Sequence, residues 1–202
     1  MQQTYRLHGT PISPFVRKVM ILARLHGIEL DIIAPEMPSG VSGYTGGDNP
    51  LGKIPALEWK LGEWLFDSPV ILEWLDAQAQ SPLLPDMLIA KTVQRRIHAL
   101  GDGISTAAYN LRYELARPKE LHWPEMIARH ETALISAITA LEAMVGELGT
   151  PWKYGNLSVV CGLDYMDFRA AHLDWRARAS GLAAWHATFA KTPEYAETFA
   201  YD

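Results

Sequence analysis

The chain has 202 residues, 49% of them hydrophobic, with seven tryptophans and a net charge of −5 at neutral pH. That size and composition exclude a disordered chain and allow one sizeable domain or two small ones, and with no basic run they exclude a nucleic-acid surface, which needs clustered cations to displace phosphate counterions. No apolar stretch is long enough to cross a bilayer and the N-terminus lacks the charged-then-apolar layout of a secretion signal, so no membrane partner and a cytoplasmic address are expected.

Residues 4–7 read as a short strand. The spacing of Phe15, Val16, Val19, Met20, Leu22 and Ala23 predicts a helix over 14–26 closed by Gly27, and residues 28–33 are strand-like again. A β-α-β opening implies parallel pairing through a right-handed crossover. Residues 35–48 hold Pro35, Pro38, Gly40, Gly43, Gly46 and Gly47 and read as a mobile loop. They lack the Gly-Lys-Ser/Thr ending of a phosphate loop. Residues 56–59 and 64–66 flank a turn at Gly62, which predicts a hairpin before a helix over 69–79. After the proline-bearing stretch Gln80–Pro85 the strand signals stop, and residues 87–117, 124–148 and 181–191 carry helical periodicity. The expected fold class is α/β plus all-α: a first domain over 1–79, a linker over 80–87 and a helical domain over 88–202.

Two segments carry the functional signal. Asn49-Pro50-Leu51-Gly52-Lys53-Ile54-Pro55-Ala56-Leu57 runs a turn into a strand through a proline, and Asp67-Ser68-Pro69-Val70-Ile71 runs a strand into a helix. An Ile-Pro bond opening a strand is a candidate cis site, and because proline lacks an N–H, Ile54 can turn both its own N–H and C=O toward a partner. Ser68 suits an N-cap and Pro69 the first helical position, where free amides attract a carboxylate. Ser13-Pro14 repeats that start on the first helix. Neither metal-ligand spacing among the seven histidines nor a second cysteine is present, so no metal site and no internal disulfide are expected, and Cys161 reads as an apolar filler.

Ser13-Pro14-Phe15-Val16-Arg17-Lys18, the Asn49–Pro55 run and the Asp67–Ile71 run, with Asp167-Phe168-Arg169 and Lys191-Thr192-Pro193 behind them, together resemble the soluble glutathione S-transferases, in particular their small bacterial members. The resemblance spans nearly the whole chain. It implies a thioredoxin-like N-terminal domain with a mixed β-sheet, an all-helical C-terminal domain, glutathione as co-substrate, a small hydrophobic electrophile as second substrate, and a homodimer. By the same resemblance Ser13 stands beside the glutathione sulfur and Lys53 reaches the glycyl end. Ile54, ahead of Pro55, pairs with the cysteinyl unit, and Asp67 and Ser68 hold the γ-glutamyl end. Phe15, Tyr109 and Tyr113 are candidates for the pocket of the second substrate.

Elementary energetics fit those roles. A free thiol titrates near pH 8.5, and lowering that by about two units takes roughly 2.7 kcal/mol. A helix N-terminus supplies about 0.3–1 kcal/mol and a hydroxyl donating to an anion about 1.5–3, so Ser13 and the helix start together suffice where the dipole alone falls short. Rival readings are a thiol-disulfide or deglutathionylating enzyme, disfavoured by serine at position 13, and a binding or scaffold module without turnover. Taken alone, Ser13 is an ordinary cap, Lys53 a solvated lysine, Asp67-Ser68 a capping pair and Tyr109/Tyr113 a core stripe; Thr10 is the nearest rival hydroxyl. One departure stands out. Relatives carry a Ser/Thr-x-x-Asp capping box within the helical domain, whereas Leu157-Ser158-Val159-Val160 runs straight into Cys161, which predicts a shortened helix or an omitted stretch.

Overall fold

The computed structural model describes residues 4–34 and 49–201; the glycine- and proline-rich loop expected over 35–48 lies outside them. The elements run β1 (Thr4–His8), α1 (Pro14–Leu25), β2 (Glu29–Ile33), β3 (Ala56–Lys60), β4 (Glu63–Leu65), α2 (Ser68–Asp76), α3 (Leu88–Leu115), α4 (Pro124–Ala143), α5 (Val145–Leu148), α6 (Tyr154–Ala170), α7 (Trp175–Arg178), α8 (Ser180–Ala187) and α9 (Pro193–Ala196). The chain forms two compact units, one of residues up to Leu84 together with Pro193–Ala200, the other of Pro85–Thr192 with Tyr201.

In the first unit a mixed four-stranded sheet has the order β2-β1-β3-β4. β1 and β2 are parallel, as the β-α-β opening requires, and β3 is antiparallel to both β1 and β4. Leu7, Leu57, Val16, Val19, Leu22, Ile71, Leu72 and Leu75 bury the sheet face and the inner stripes of α1 and α2. The hairpin turns at Gly62, whose φ of 76° favours a residue without a Cβ, and Glu58 accepts the Gly62 amide at 2.7 Å. The returning segment 193–200 belongs to this unit because Arg17, fully buried on α1, donates to the carbonyl oxygens of Thr198 (3.1 Å) and Tyr195 (3.4 Å) and stacks on the rings of Tyr195 and Phe199. Nothing in the helical periodicity near the C-terminus signals that return.

The second unit is helical, built on α3 and α6. Gly101 allows their close approach: a Cβ there would fall 2.3 Å from the Ser158 carbonyl carbon. The helix expected to be short is a full 17 residues, Tyr154–Ala170, and the chain through it is continuous. The correction lies in where it begins. Lys153 is the N-cap, its carbonyl accepts the Asn156 amide at 3.0 Å, and the Asn156 side chain donates to the carbonyl oxygens of Gly149 (3.1 Å) and Leu148 (3.4 Å). The helix thus starts without a Ser/Thr-x-x-Asp box, five residues upstream of Ser158, with the Asn156 side chain tying its first turn to the preceding Leu148-Gly149 loop. The expected helix over 124–148 is also two helices, interrupted at Met144. Cys161 is buried, consistent with a filler. Among the described residues no helix is long and apolar enough to cross a membrane, and no cluster of three or more His, Cys, Asp or Glu could hold a metal ion.

Candidate glutathione site

Strand register decides which motifs meet. His8, the last residue of β1, pairs with Ala56, the first of β3, and Leu57 pairs with Leu65 at the end of β4. The loop leading to Ser13, the Ile54-Pro55 step and the Asp67-Ser68 step therefore all lie at one end of the sheet. The structure brings Ser13, Lys53, Ile54, Pro55, Asp67 and Ser68 to that end of the first unit. A separate cleft of about 460 Å³ between α1 and β2, lined by Met20, Ala23, Arg24 and Glu29 among others, includes none of them.

At each step polar groups are left uncommitted. Ser13 is the N-cap of α1, and Val16 and Arg17 donate to its carbonyl, but its hydroxyl makes no capping bond. The Phe15 amide, next in the first turn, has no acceptor among the described residues. Pro14 at the first helical position has no N–H to satisfy, so the helix loses nothing there. The Ile54-Pro55 peptide bond is cis, and neither the N–H nor the C=O of Ile54 has a partner among the described residues. The bond before Asp67 is cis as well.

At α2 the structure moves the cap by one residue from the expected register. Asp67 is the N-cap and Ser68 the first helical residue, with Pro69 second. The carboxylate of Asp67 is exposed and makes no capping bond, so the bland reading of Asp67-Ser68 as a capping pair does not hold in the form expected. The first α2 amide bond runs from Ile71 to the Asp67 carbonyl at 3.1 Å, leaving the amides of Ser68 and Val70 without acceptors among the described residues. Two uncapped helix starts with free N–H groups form anion-attracting positions.

Asn49 has a role that the motif alone did not reveal. It is buried, donates to the Lys53 carbonyl at 2.8 Å and accepts the Leu51 amide at 2.9 Å, while its own carbonyl accepts the Gly52 amide. One side chain thereby fixes the turn that delivers Lys53 and Ile54. The signal was an asparagine two residues ahead of the amide it takes, the spacing of an Asx turn.

Of the pocket candidates, Phe15 is half-buried on α1 in the first unit, while Tyr109 and Tyr113 are on α3 in the second. The two tyrosines are 42% and 36% exposed, so they are not a core stripe, and their rings lie 4.7 Å apart. Burial of its inner side, then a hydrogen bond with Tyr113, pushes the Tyr109 phenol up to about 12, so it is a neutral hydroxyl at physiological pH.

Comparisons with known proteins agree on the class. Residues 12–78 match the family described as the glutathione S-transferase N-terminal domain. YibF of Escherichia coli K12, an uncharacterized GST-like protein, is 32% identical over 174 residues, 84% of this chain and 86% of that one. The chain belongs to the glutathione S-transferase family. Its structure is similar to that of a glutathione transferase family member from Pseudomonas fluorescens Pf-5 with bound glutathione, at 37% identity and a TM-score of 0.88, covering 96% of this chain and 98% of that one. It is similar too to a glutathione S-transferase from Methylobacterium radiotolerans in complex with glutathione sulfonate, at 27% identity and a TM-score of 0.90, covering 99% and 96%. The mixed sheet followed by helices is the thioredoxin-like and all-helical fold of that family.

Proposed function

We propose that the chain is a glutathione transferase that ionises the glutathione thiol beside Ser13 and directs it at a small hydrophobic electrophile. The observation that carries this reading is the convergence, at one end of one sheet, of an unspent hydroxyl at Ser13, an unpaired backbone N–H and C=O at Ile54 and an unspent carboxylate at Asp67. A native fold seldom leaves that many polar groups idle together unless a ligand completes them. Their chemistry matches the tripeptide in order. Asp67 accepts from its ammonium, while the Ser68 amide and hydroxyl meet the neighbouring carboxylate. Ile54 pairs with the cysteinyl backbone as an added strand edge would, and Lys53 pairs with the glycyl carboxylate.

Ser13 acts as a donor to the sulfur anion. It forms no covalent bond itself. In a conjugation the thiolate makes a new C–S bond while the electrophile expels its leaving group with the bonding electron pair, or, in an addition, takes a proton at the adjacent carbon. Domains follow the same assignment, with 1–79 holding glutathione, 80–87 linking and 88–202 facing the electrophile through Tyr109 and Tyr113, apart from the returning segment 193–200. A homodimer in the cytoplasm completes the reading. The exposed Met87, Leu88 and Ile89 offer apolar surface to a second copy, and light scattering at micromolar concentration should give twice the chain mass.

The deciding experiment is Ser13→Ala assayed on a panel of aromatic and unsaturated electrophiles. Loss of one hydrogen bond to the thiolate should lower kcat by about 10–100-fold and leave glutathione affinity within about threefold. Equal turnover removes Ser13 from the chemistry. Binding to immobilised glutathione with no turnover on any electrophile makes the chain a binding module instead.

A further inference from the structure

The second unit contains a cation without an anion. Arg169, near the end of α6, has its guanidinium carbon 3.7 Å from the centroid of the Phe168 ring and 5.8 Å from that of Tyr165. Its Nε is sealed from solvent and has no hydrogen-bond partner, and no carboxylate lies within ion-pair distance of it among the described residues. A buried donor left idle in this way calls for a physical explanation, since stacking on a ring stabilises the charge but does not satisfy the N–H.

Nearby acids are engaged elsewhere. Asp167 accepts from the Trp175 indole N–H and from Arg176, both at 2.7 Å, and Asp164, also on α6, meets the His186 ring at 2.9 Å. Beside Arg169 three rings form one aromatic cluster, and the Tyr109–Tyr113 pair lies within electrostatic reach of it. Phe168 stacks on Tyr201 at 5.1 Å, Tyr165 touches both, and Tyr165 lies close enough to Tyr109 to act on its titration. Phe168, Tyr109 and Tyr113 are each more than a third exposed. A second arginine, Arg112, lies 4.9 Å from the Tyr113 ring centroid and likewise has no carboxylate partner among the described residues.

Open aromatic faces accept a flat apolar body, and the outer N–H groups of a guanidinium among them donate two hydrogen bonds to a carboxylate. We propose that this patch selects the second substrate as a planar, aromatic or conjugated electrophile that carries an acidic group, with Arg169 taking the acid. The assignment rests on the transferase reading above for its function, but the binding chemistry stands on the second unit alone.

The test uses the full chain without glutathione and two isosteric probes, 2-naphthoate and 2-naphthamide, titrated by tryptophan fluorescence. Naphthoate should bind at least about tenfold more tightly, the worth of a charge-assisted pair over a neutral one. Arg169→Gln should bring the two affinities within about twofold while leaving naphthamide unchanged, and Arg169→Lys should keep part of the preference. Equal affinities in the unaltered chain, no binding of either probe, or a preference that survives Arg169→Gln overturns the site. If the Gln variant does not fold, a salt series on the unaltered chain decides: a naphthoate preference that shrinks with ionic strength supports the pair, and a salt-independent one overturns it. A separate glutathione titration keeps the two readings apart. Naphthoate discrimination without glutathione binding overturns the transferase and spares the acid site, and the reverse result does the opposite.

Discussion

Helix α2 has an aspartate at each end, and they are used in opposite ways. Asp67, at the start, is exposed and makes no capping bond. Asp76, at the finish, is 1% exposed and fully engaged: its two oxygens accept the Leu83 and Leu84 amides at 2.8 Å each, and His26 meets it at 2.8 Å. One acid ties the chain leaving α2 back onto its own helix and onto the end of α1; the other holds nothing of the fold. The contrast separates stability from function within one helix. Polar groups the fold has satisfied are structural, and those it has placed but left unsatisfied wait for something else.

That contrast is strongest at Asp76. Asp76→Ala strips acceptors from two buried-side amides and a partner from His26, at about 1–3 kcal/mol per orphaned group, so a loss of about 3 kcal/mol or more is expected in urea unfolding. A loss below about 1 kcal/mol would show that the linker is held by other contacts and break the comparison. Asn49→Ala comes next, at about 1–2 kcal/mol, because the Leu51 amide and the Lys53 carbonyl lose their shared partner. It also sharpens the contrast, since Asn49 is engaged by the fold in order to position groups that are not. Glutathione affinity should therefore fall in Asn49→Ala beyond what the lost stability explains, which calorimetry at a temperature well below unfolding can read.

What the sequence disclosed follows the same division. The runs 13–18, 49–57 and 67–71 were legible because each packs its turn chemistry into a contiguous stretch, so proline and serine in order announce a helix start or a strand entry. The cap at α2 was misplaced by one residue because aspartate and serine are near-equal caps and stand side by side. The start of α6 was missed for a different reason: Lys153 is no cap residue, and the Asn156 side chain that ties the first turn down does so by donating to the carbonyls of Leu148 and Gly149 before the helix. The break at Met144 carries neither proline nor glycine to mark it. Arg17 reads as an ordinary helical cation until the tail at 193–200 returns to its guanidinium, and the ring cluster beside Arg169 is completed by Tyr201, far along the chain. Contacts between residues so far apart in the chain leave no local period to read.

Asp67 supplies the complementary measurement. Asp67→Asn should leave the urea midpoint unchanged within about 0.5 kcal/mol, because no bond within the fold is lost, and should weaken glutathione by about tenfold through loss of the charged acceptor for its ammonium. Destabilisation with unchanged affinity would place Asp67 in the same class as Asp76.

The smallest effect tests whether the rule extends to the second unit. Glu114 is a satisfied acid there: the Trp123 amide first, then Arg117, holds its carboxyl below the ordinary glutamate range. A carboxylate whose folded value is depressed contributes stability that is present in full above its unfolded value, about 4.3, and is lost as pH falls through the folded one. Glu114→Gln keeps an oxygen for the Trp123 amide and removes the charge. The gap in urea midpoint between the two proteins should accordingly be open at pH 7, begin to close as pH falls below about 4.3 and vanish once the folded glutamate is protonated. The gap is small because the Arg117 pair is partly exposed and screened by solvent. A gap that widened on acidification would mean that the neutral form is the one the fold prefers, and Glu114 would then stand with the unsatisfied groups.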